Sequence, residues 1–214
     1  MSGYDFTQDW FEKFAKPNWD QLIPQITPQK ILEIGSFEGA SACYLIQSNA
    51  WADPLKLFCA DTWEGGIEHE RQQLDLTQLE KRFDSNLKVA IESSERTVHL
   101  NKLKGRSENT LCNLIREGHR GTFDLIYVDG SHQAPDALTD AVLGFQLCKT
   151  GGLIIFDDYL WTEKTTYGAD PIRSPKLAID SFTNIFCRQI NIYRAPLYQL
   201  YLLKTGSTHN QHLK

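Results

Sequence analysis

The sequence has no excess of positive charge. Its 214 residues hold 22 Lys and Arg against 27 Asp and Glu, a formal net charge of −5. Surfaces built for nucleic acid usually show a basic stripe. None is present, so nucleic acid is disfavoured as partner or substrate. The five cysteines stand apart at 43, 59, 112, 148 and 187, with no Cys-x-x-Cys among them. An odd, scattered set inside apolar patterns argues against a disulfide framework and a zinc site, and for thiols in a reducing compartment. No apolar stretch is long enough to span a bilayer, and the first ten residues lack the basic-then-apolar order of a secretory leader. The expected location is therefore cytoplasmic, with no membrane association. Gly-x-Gly-x-x-Gly, the spacing of a pyrophosphate cradle, is missing as well. There is no internal repeat and no low-complexity segment.

What is present reads as one α/β domain with a small decoration. Residues 5–25 suggest one or two short helices with aromatic faces (Phe6, Trp10, Phe11, Phe14, Trp19), broken at Pro17 and Pro24. They form a cap over 1–28 that packs on the core and can contribute a lid. From residue 29 strands and helices alternate. Strands are expected at 30–35, 56–61, 97–103, 123–129 and 152–157, and helices at 39–49, 70–94, 107–117, 133–148 and 175–187. Near-continuous apolar strands are buried on both faces, and the alternation implies right-handed βαβ units and a parallel sheet. Two strand-like runs at 189–194 and 198–205 are joined by Ala195-Pro196-Leu197, a link that permits a hairpin but is too short for a parallel crossover. The main domain thus runs over 29–206, and 207–214 forms a flexible polar tail. The expected fold is a three-layer Rossmann-like sandwich, with a mostly parallel seven-stranded sheet ending in an antiparallel C-terminal hairpin.

Residues of chemical interest gather at the carboxyl ends of the strands, where open α/β sheets bind ligands. The first strand runs into Glu33-Ile-Gly35-Ser36-Phe-Glu-Gly39-Ala-Ser41. Two glycines there allow a sharp turn and a close ligand approach, and the following helix offers unpaired amides to an anion. Asp61 ends the second strand; it can accept from ribose hydroxyls or cap the next turn. Loops 62–69, opening with Thr62 and Trp63, and 159–176 both follow strand ends and are long enough to be functional. Trp63 can wall a nucleoside or simply pack. Ser107 opens a helix, with Glu108 beside it. The fourth and fifth strands end in Asp129-Gly-Ser-His132 and Asp157-Asp158. Three converging carboxylates repel unless protonated or bound to a cation, and oxygen ligands suit a hard ion such as Mg2+. Consecutive strand residues face opposite ways, so Asp157 and Asp158 can share an ion only if the strand has ended; otherwise one of them is a cap or ion-pair partner. His132 can take a proton near neutral pH, or cap the helix that follows.

The pattern Glu-x-Gly-x-x-x-Gly-x-Ser at 33–41 resembles the first motif of class I S-adenosylmethionine-dependent methyltransferases. The terminal hairpin on a parallel sheet is that family's arrangement too. Asp129, Asp157 and Asp158 resemble the metal ligands of Mg2+-dependent O-methyltransferases of the catechol type. Those enzymes place a lysine where this chain has His132. Asp-Gly-Ser-His is more similar to the macrolide-sugar enzymes, in which a histidine is the base. The resemblance spans roughly residues 30–205. It implies cofactor contacts from Glu33, Gly35, Ser36, Gly39, Ser41, Asp61, Thr62, Trp63, Ser107, Glu108 and Asp129. It implies a metal on Asp129, Asp157 and Asp158, and catalysis by His132 with Asp129. The implied activity is methyl transfer to a hydroxyl of a small molecule such as a sugar, catechol or hydroxy acid. Two other readings stand beside it: a non-catalytic or regulatory cofactor-binding module on the same fold, and a nicotinamide-dependent oxidoreductase. A homodimer is a permitted assembly.

Overall fold

The computed structural model describes residues 3–48, 53–67, 74–166, 168–196 and 198–206. The expected polar tail at 207–214, the end of loop 62–69 and the start of the helix expected from 70 lie outside them. Seven strands form the main sheet: β1 (Lys30–Ile34), β2 (Leu55–Asp61), β3 (Val98–Lys104), β4 (Phe123–Val128), β5 (Cys148–Phe156), β6 (Ile190–Tyr193) and β7 (Leu200–Lys204). Their order is β3-β2-β1-β4-β5-β7-β6. β3 to β5 are mutually parallel through β2, β1 and β4, and β7 runs antiparallel to both β5 and β6. The parallel core and the antiparallel terminal pair are the arrangement that the strand and helix rhythm predicts.

The helices are α1 (Lys16–Leu22), α2 (Ala40–Gln47), α3 (Leu79–Glu92), α4 (Ser107–Arg116), α5 (Ala134–Leu147) and α6 (Pro175–Ile185). Strand side chains alternate between two apolar layers. Ile31, Leu125 and Tyr127 join Trp19 of α1, Leu45 of α2 and Phe83 of α3 on one face. Leu32, Ile34, Ile126 and Val128 join Leu111 of α4, Phe145 of α5 and Phe182 of α6 on the other. Each fully buried side chain of this kind contributes roughly 1.5–3 kcal/mol. The three-layer sandwich follows directly.

Two details differ from the sequence reading. Pro17 does not break the N-terminal cap; it sits in the first turn of α1, where a missing N–H costs nothing, and a π-helical turn (Phe11–Ala15) leads into it. α3 begins at Leu79, later than the expected helix. The loop at 159–176 holds a two-residue ribbon (164–165 with 168–169) and a short 3-10 turn (Pro171–Arg173) before α6.

The chain leaves β1 towards β2 and β3 on one side, then returns to place β4 on the other. The strand ends of β1 and β4 therefore frame the crevice where an open sheet of this type holds ligands. Among the described residues no helix is long and apolar enough to cross a membrane.

Candidate functional site

A cavity of about 530 Å3 opens over these strand ends. Its floor is the turn after β1. Gly35 has φ +84°, and a Cβ there would lie 2.0 Å from the Asp129 carbonyl oxygen. Only glycine lets β1 and β4 end this close together. The ends of β2, β1, β4 and β5 are laced by backbone bonds from Gly35 to Ala60, from Asp129 to Ile34 and from Asp157 to Val128, at 2.8, 2.8 and 2.9 Å. Gly39, at φ +83°, is the N-cap of α2. Ser36 and Ser41 line the cavity beside that helix start.

Asp61 at the end of β2 holds the turn in place. Its Oδ2 accepts from the amides of Ser36 and Phe37 at 2.7 and 2.9 Å, and its Oδ1 from the Trp63 amide at 2.7 Å. It lines the cavity with Thr62 and keeps a lone pair on Oδ1 for a further donor. Trp63 packs away from the cavity. It is buried against Phe83, and its indole N–H donates to the Phe37 carbonyl at 3.1 Å. Ser107 and Glu108, at the start of α4, line the cavity, with Glu108 paired to Arg106 at 2.6 Å.

Glu33 lies beneath the floor, fully buried, and accepts from the Ser41 hydroxyl at 2.5 Å through Oε1. Among the described residues its Oε2 has no hydrogen-bond partner. Burial pushes its carboxyl up to about 7, against the opposing hydrogen bond of Ser41.

The acidic residues sit on the β4 and β5 side. β5 ends at Phe156, and Asp158 has φ +53°. The strand has thus ended before the second aspartate, which frees the two side chains from strict alternation. Asp129, His132 and Asp158 each offer a ligand atom, and these atoms lie within 4.8 Å of one another. His132 Nε2 is 3.0 Å from Asp158 Oδ2, and its ring packs on Trp161 with centroids 4.3 Å apart.

Asp157 stands outside that group. Its Oδ2 accepts from the Tyr127 hydroxyl and from Gln199 Nε2 (2.8 Å), and its Oδ1 from the Asp158 amide (2.7 Å). Tyr127 also reaches Asp129 Oδ2 at 3.0 Å, so one phenol bridges the two carboxylates. Burial, followed by the charges of Asp157 and Asp158, pushes the Asp129 carboxyl well above the usual range. Burial and Asp158 push Asp157 up to about 6.

Three contributors were not singled out by sequence. Tyr127 was readable in principle, because residues two apart on a strand share a face and Asp129 follows it by two. Glu38 lies within the 33–41 pattern and lines the cavity, where nothing in the spacing distinguishes it from its neighbours. Gln199 gave no local signal, since its partners Trp19 and Asp157 are 180 and 42 positions away. The N-terminal aromatics Phe6, Trp10, Phe11 and Phe14 do line the cavity, so the cap serves as a wall as well as packing.

A family model described as a methyltransferase domain matches residues 32–159. No curated protein sequence matches the chain. Among solved structures, an O-methyltransferase from Bacillus cereus in complex with SAH is similar at a TM-score of 0.60 and 16% identity, covering 86% of this chain and 77% of that one. The O-methyltransferase TomG from Streptomyces achromogenes, involved in tomaymycin synthesis and in complex with SAM, is similar at 0.58 and 18%, with the same coverage. MycE from the mycinamycin biosynthetic pathway, in complex with Mg, SAH and mycinamycin VI, is similar at 0.57 and 17%. That match covers 97% of this chain and about half (52%) of MycE. At these identities the likeness establishes the fold.

Proposed function

The chain belongs to the family of methyltransferase domains, and from that membership we propose that it transfers a methyl group from S-adenosylmethionine to a hydroxyl of a small molecule, with a divalent cation such as Mg2+ and with His132 as base. The observation that carries this reading is a single cavity that joins the Gly35–Ser41 turn to the Asp129, His132 and Asp158 group. The Mg and SAH bound together in MycE support it.

The cofactor supplies a methyl already activated on sulfonium. Ser36, Ser41 and the free amides at the start of α2 suit its carboxylate. Asp61 would keep an acceptor for ribose, and Ser107 with Glu108, which line the same cavity, would border the base. A cation fits the acidic side. Three carboxylates meet there, one of them pushed well above its normal range by burial and then by the other two, and a divalent charge relieves that repulsion. Asp129 and Asp158 would hold it, with Asp157 fixing the Asp158 backbone from behind. The cation's chemistry would be to favour the ionised form of an acceptor hydroxyl. His132, held beside the acidic group by the Asp158 contact to Nε2, would take that proton. The turn and the acidic group would hold donor and acceptor in line, an alignment worth up to about 7–11 kcal/mol.

Calorimetric titration tests the cofactor. Micromolar-range binding of SAM and SAH by the folded protein is expected, and its absence removes the reading. Labelled cofactor incubated with small-molecule extracts, with and without EDTA, tests the rest. Methylated product that depends on added Mg2+ is expected. Cofactor binding with no turnover across a broad acceptor panel would favour a non-catalytic binding module.

A further inference from the structure

Glu38 is a buried carboxylate, 2% exposed, that the chemistry above does not use. It lies inside the turn between Gly35 and Gly39, and its oxygens are taken by the N-terminal arm. Thr7 donates its amide to Oε2 at 2.6 Å and its hydroxyl to Oε1 at 2.8 Å. Arg82 bridges the two partners, 3.5 Å from Glu38 Oε1 and 3.5 Å from Asp5 Oδ2. Asn86, fully buried in α3, closes the clasp. Its Oδ1 accepts the Asp5 amide at 2.7 Å, and its Nδ2 donates to the carbonyls of Asp5 and Glu38 at 3.2 and 2.9 Å. Turn and arm are one hydrogen-bonded unit.

Beyond the clasp the arm becomes cavity wall. Phe14 stacks on Tyr198 with centroids 4.7 Å apart, and Trp10 meets Phe37 at 5.5 Å; all four line the cavity. Residues 4–9 form no helix or strand, and Asp5, Thr7 and Asp9 are exposed. Beyond the half-buried Tyr4 and Phe6, which pack on the core, the stretch is held by the few bonds it makes. The two bonds from Thr7 end on a turn that carries three left-handed residues, Gly35, Phe37 and Gly39, at φ +84°, +46° and +83°. Such a turn keeps its shape only when its surroundings fix it.

We infer that Glu38 is a positioning residue that couples occupancy of the cofactor turn to closure of the N-terminal arm over the acceptor side of the cavity. The inference rests on the cofactor reading above. A ligand seated on residues 36–41 stiffens the turn, and the stiffened turn presents Glu38 to Thr7. The arm then completes the acceptor wall. By linkage the seated arm must hold the cofactor more tightly in return.

Amide hydrogen exchange of the full chain, with and without saturating SAH, reads this coupling. In the wild type SAH is expected to slow exchange across residues 5–11 by about tenfold or more, as for a segment moved from local opening to a seated state. Glu38→Ala is expected to abolish that slowing while exchange in β4 and β5 stays as in the wild type. Glu38→Gln keeps an acceptor oxygen and is expected to restore part of it. Thr7→Ala removes only a hydroxyl at an exposed position and is expected to lose part of the slowing; it carries the test if Glu38→Ala does not fold. Calorimetric SAH affinity is expected to fall about tenfold in Glu38→Ala, the scale of one charge-assisted hydrogen bond. Arm exchange that bound SAH leaves unchanged, or slowing that persists undiminished in Glu38→Ala and Thr7→Ala, overturns the inference alone. Failure of the wild type to bind SAH overturns the cofactor reading beneath it.

Discussion

Asp157 has donors on both carboxylate oxygens, from Tyr127, Gln199 and the Asp158 amide, whereas Asp129 and Asp158 gather with His132, their ligand atoms within 4.8 Å of one another. The two neighbouring aspartates should therefore respond differently to substitution. Asp158→Ala is expected to weaken divalent-ion binding by at least about tenfold, on the scale of losing a metal contact, in a calorimetric titration with Mg2+ or Mn2+. Asp157→Asn is expected to leave that binding close to wild type and to cost stability instead, about 1–3 kcal/mol, because an amide nitrogen turned towards Tyr127 or Gln199 leaves a buried donor unmatched. Equal loss of ion binding in both variants would return Asp157 to the ligand set. His132 separates two roles in the same way. As a base, His132→Gln should lower kcat by about 10^2–10^4 with SAH and Mg2+ affinities unchanged. A drop in Mg2+ affinity of the same size would make His132 a ligand instead. The strand-end aspartates and His132 were visible in sequence because acids at the ends of apolar strands stand out. Which oxygens they keep free was not visible, because Tyr127 and Gln199 decide it and Gln199 arrives from β7's edge.

The turn between β1 and α2 is the element on which the cavity depends, and its two glycines are needed for different reasons. A Cβ on Gly35 would meet backbone, the Asp129 carbonyl at 2.0 Å; a Cβ on Gly39 would meet a side chain, Leu87 Cδ2 at 2.4 Å. Gly35→Ala cannot be relieved without parting β1 from β4, so a large fall in Tm and loss of SAH binding are expected. Gly39→Ala carries left-handed strain of about 1–3 kcal/mol plus a clash that a smaller neighbour removes. The double variant Gly39→Ala with Leu87→Ala should therefore be less destabilised than the two single variants added together, by about 0.5–3 kcal/mol of coupling, measured by urea denaturation. Strict additivity would mean that the clash is not what Gly39 avoids. The glycines were legible because their spacing, after an apolar strand and before a helix, has few other uses. The onset of α3 at Leu79 and the place of Pro17 inside α1 were not. Both are set by where Leu79, Phe83 and Trp19 find the shared apolar layer, a tertiary matter that local propensity does not encode.

Across the whole molecule, the alternation of apolar strands with helices was enough to give the layers and the terminal hairpin, since each β-α-β step leaves little topological freedom. The polar groups sealed between the layers were out of reach of that rhythm, and they set how the fold responds to pH. Glu33 lies under the cavity floor and Asp140 is buried in α5; both are pushed up to about 7, chiefly by burial. One oxygen of each, Glu33 Oε2 and Asp140 Oδ1, lacks a hydrogen-bond partner among the described residues, so the folded chain supports the protonated form better than the anion. For a carboxyl raised in this way the native state binds its proton more tightly than the unfolded chain does. Its contribution to stability is complete below about pH 4.5 and is lost as pH rises through about 7. Each group can account for up to about 3 kcal/mol over that window. His119 works in the opposite sense, because burial and then Lys30 hold it below its usual value, so stability falls as acid protonates it. A bare melting curve against pH therefore mixes the two, and the difference between wild type and Glu33→Gln isolates the carboxyl. The ligand-free variant, with no charge to bury, should gain on the wild type from about pH 4.5 to about pH 7 and level off above that, by up to about 3 kcal/mol. Asp140→Asn should do the same independently, the two gains adding because the sites share no partner. Parallel stability curves for wild type and both variants would show that these carboxyls are ionised in the folded protein, and that the space beneath the cavity floor is wetter than its packing implies.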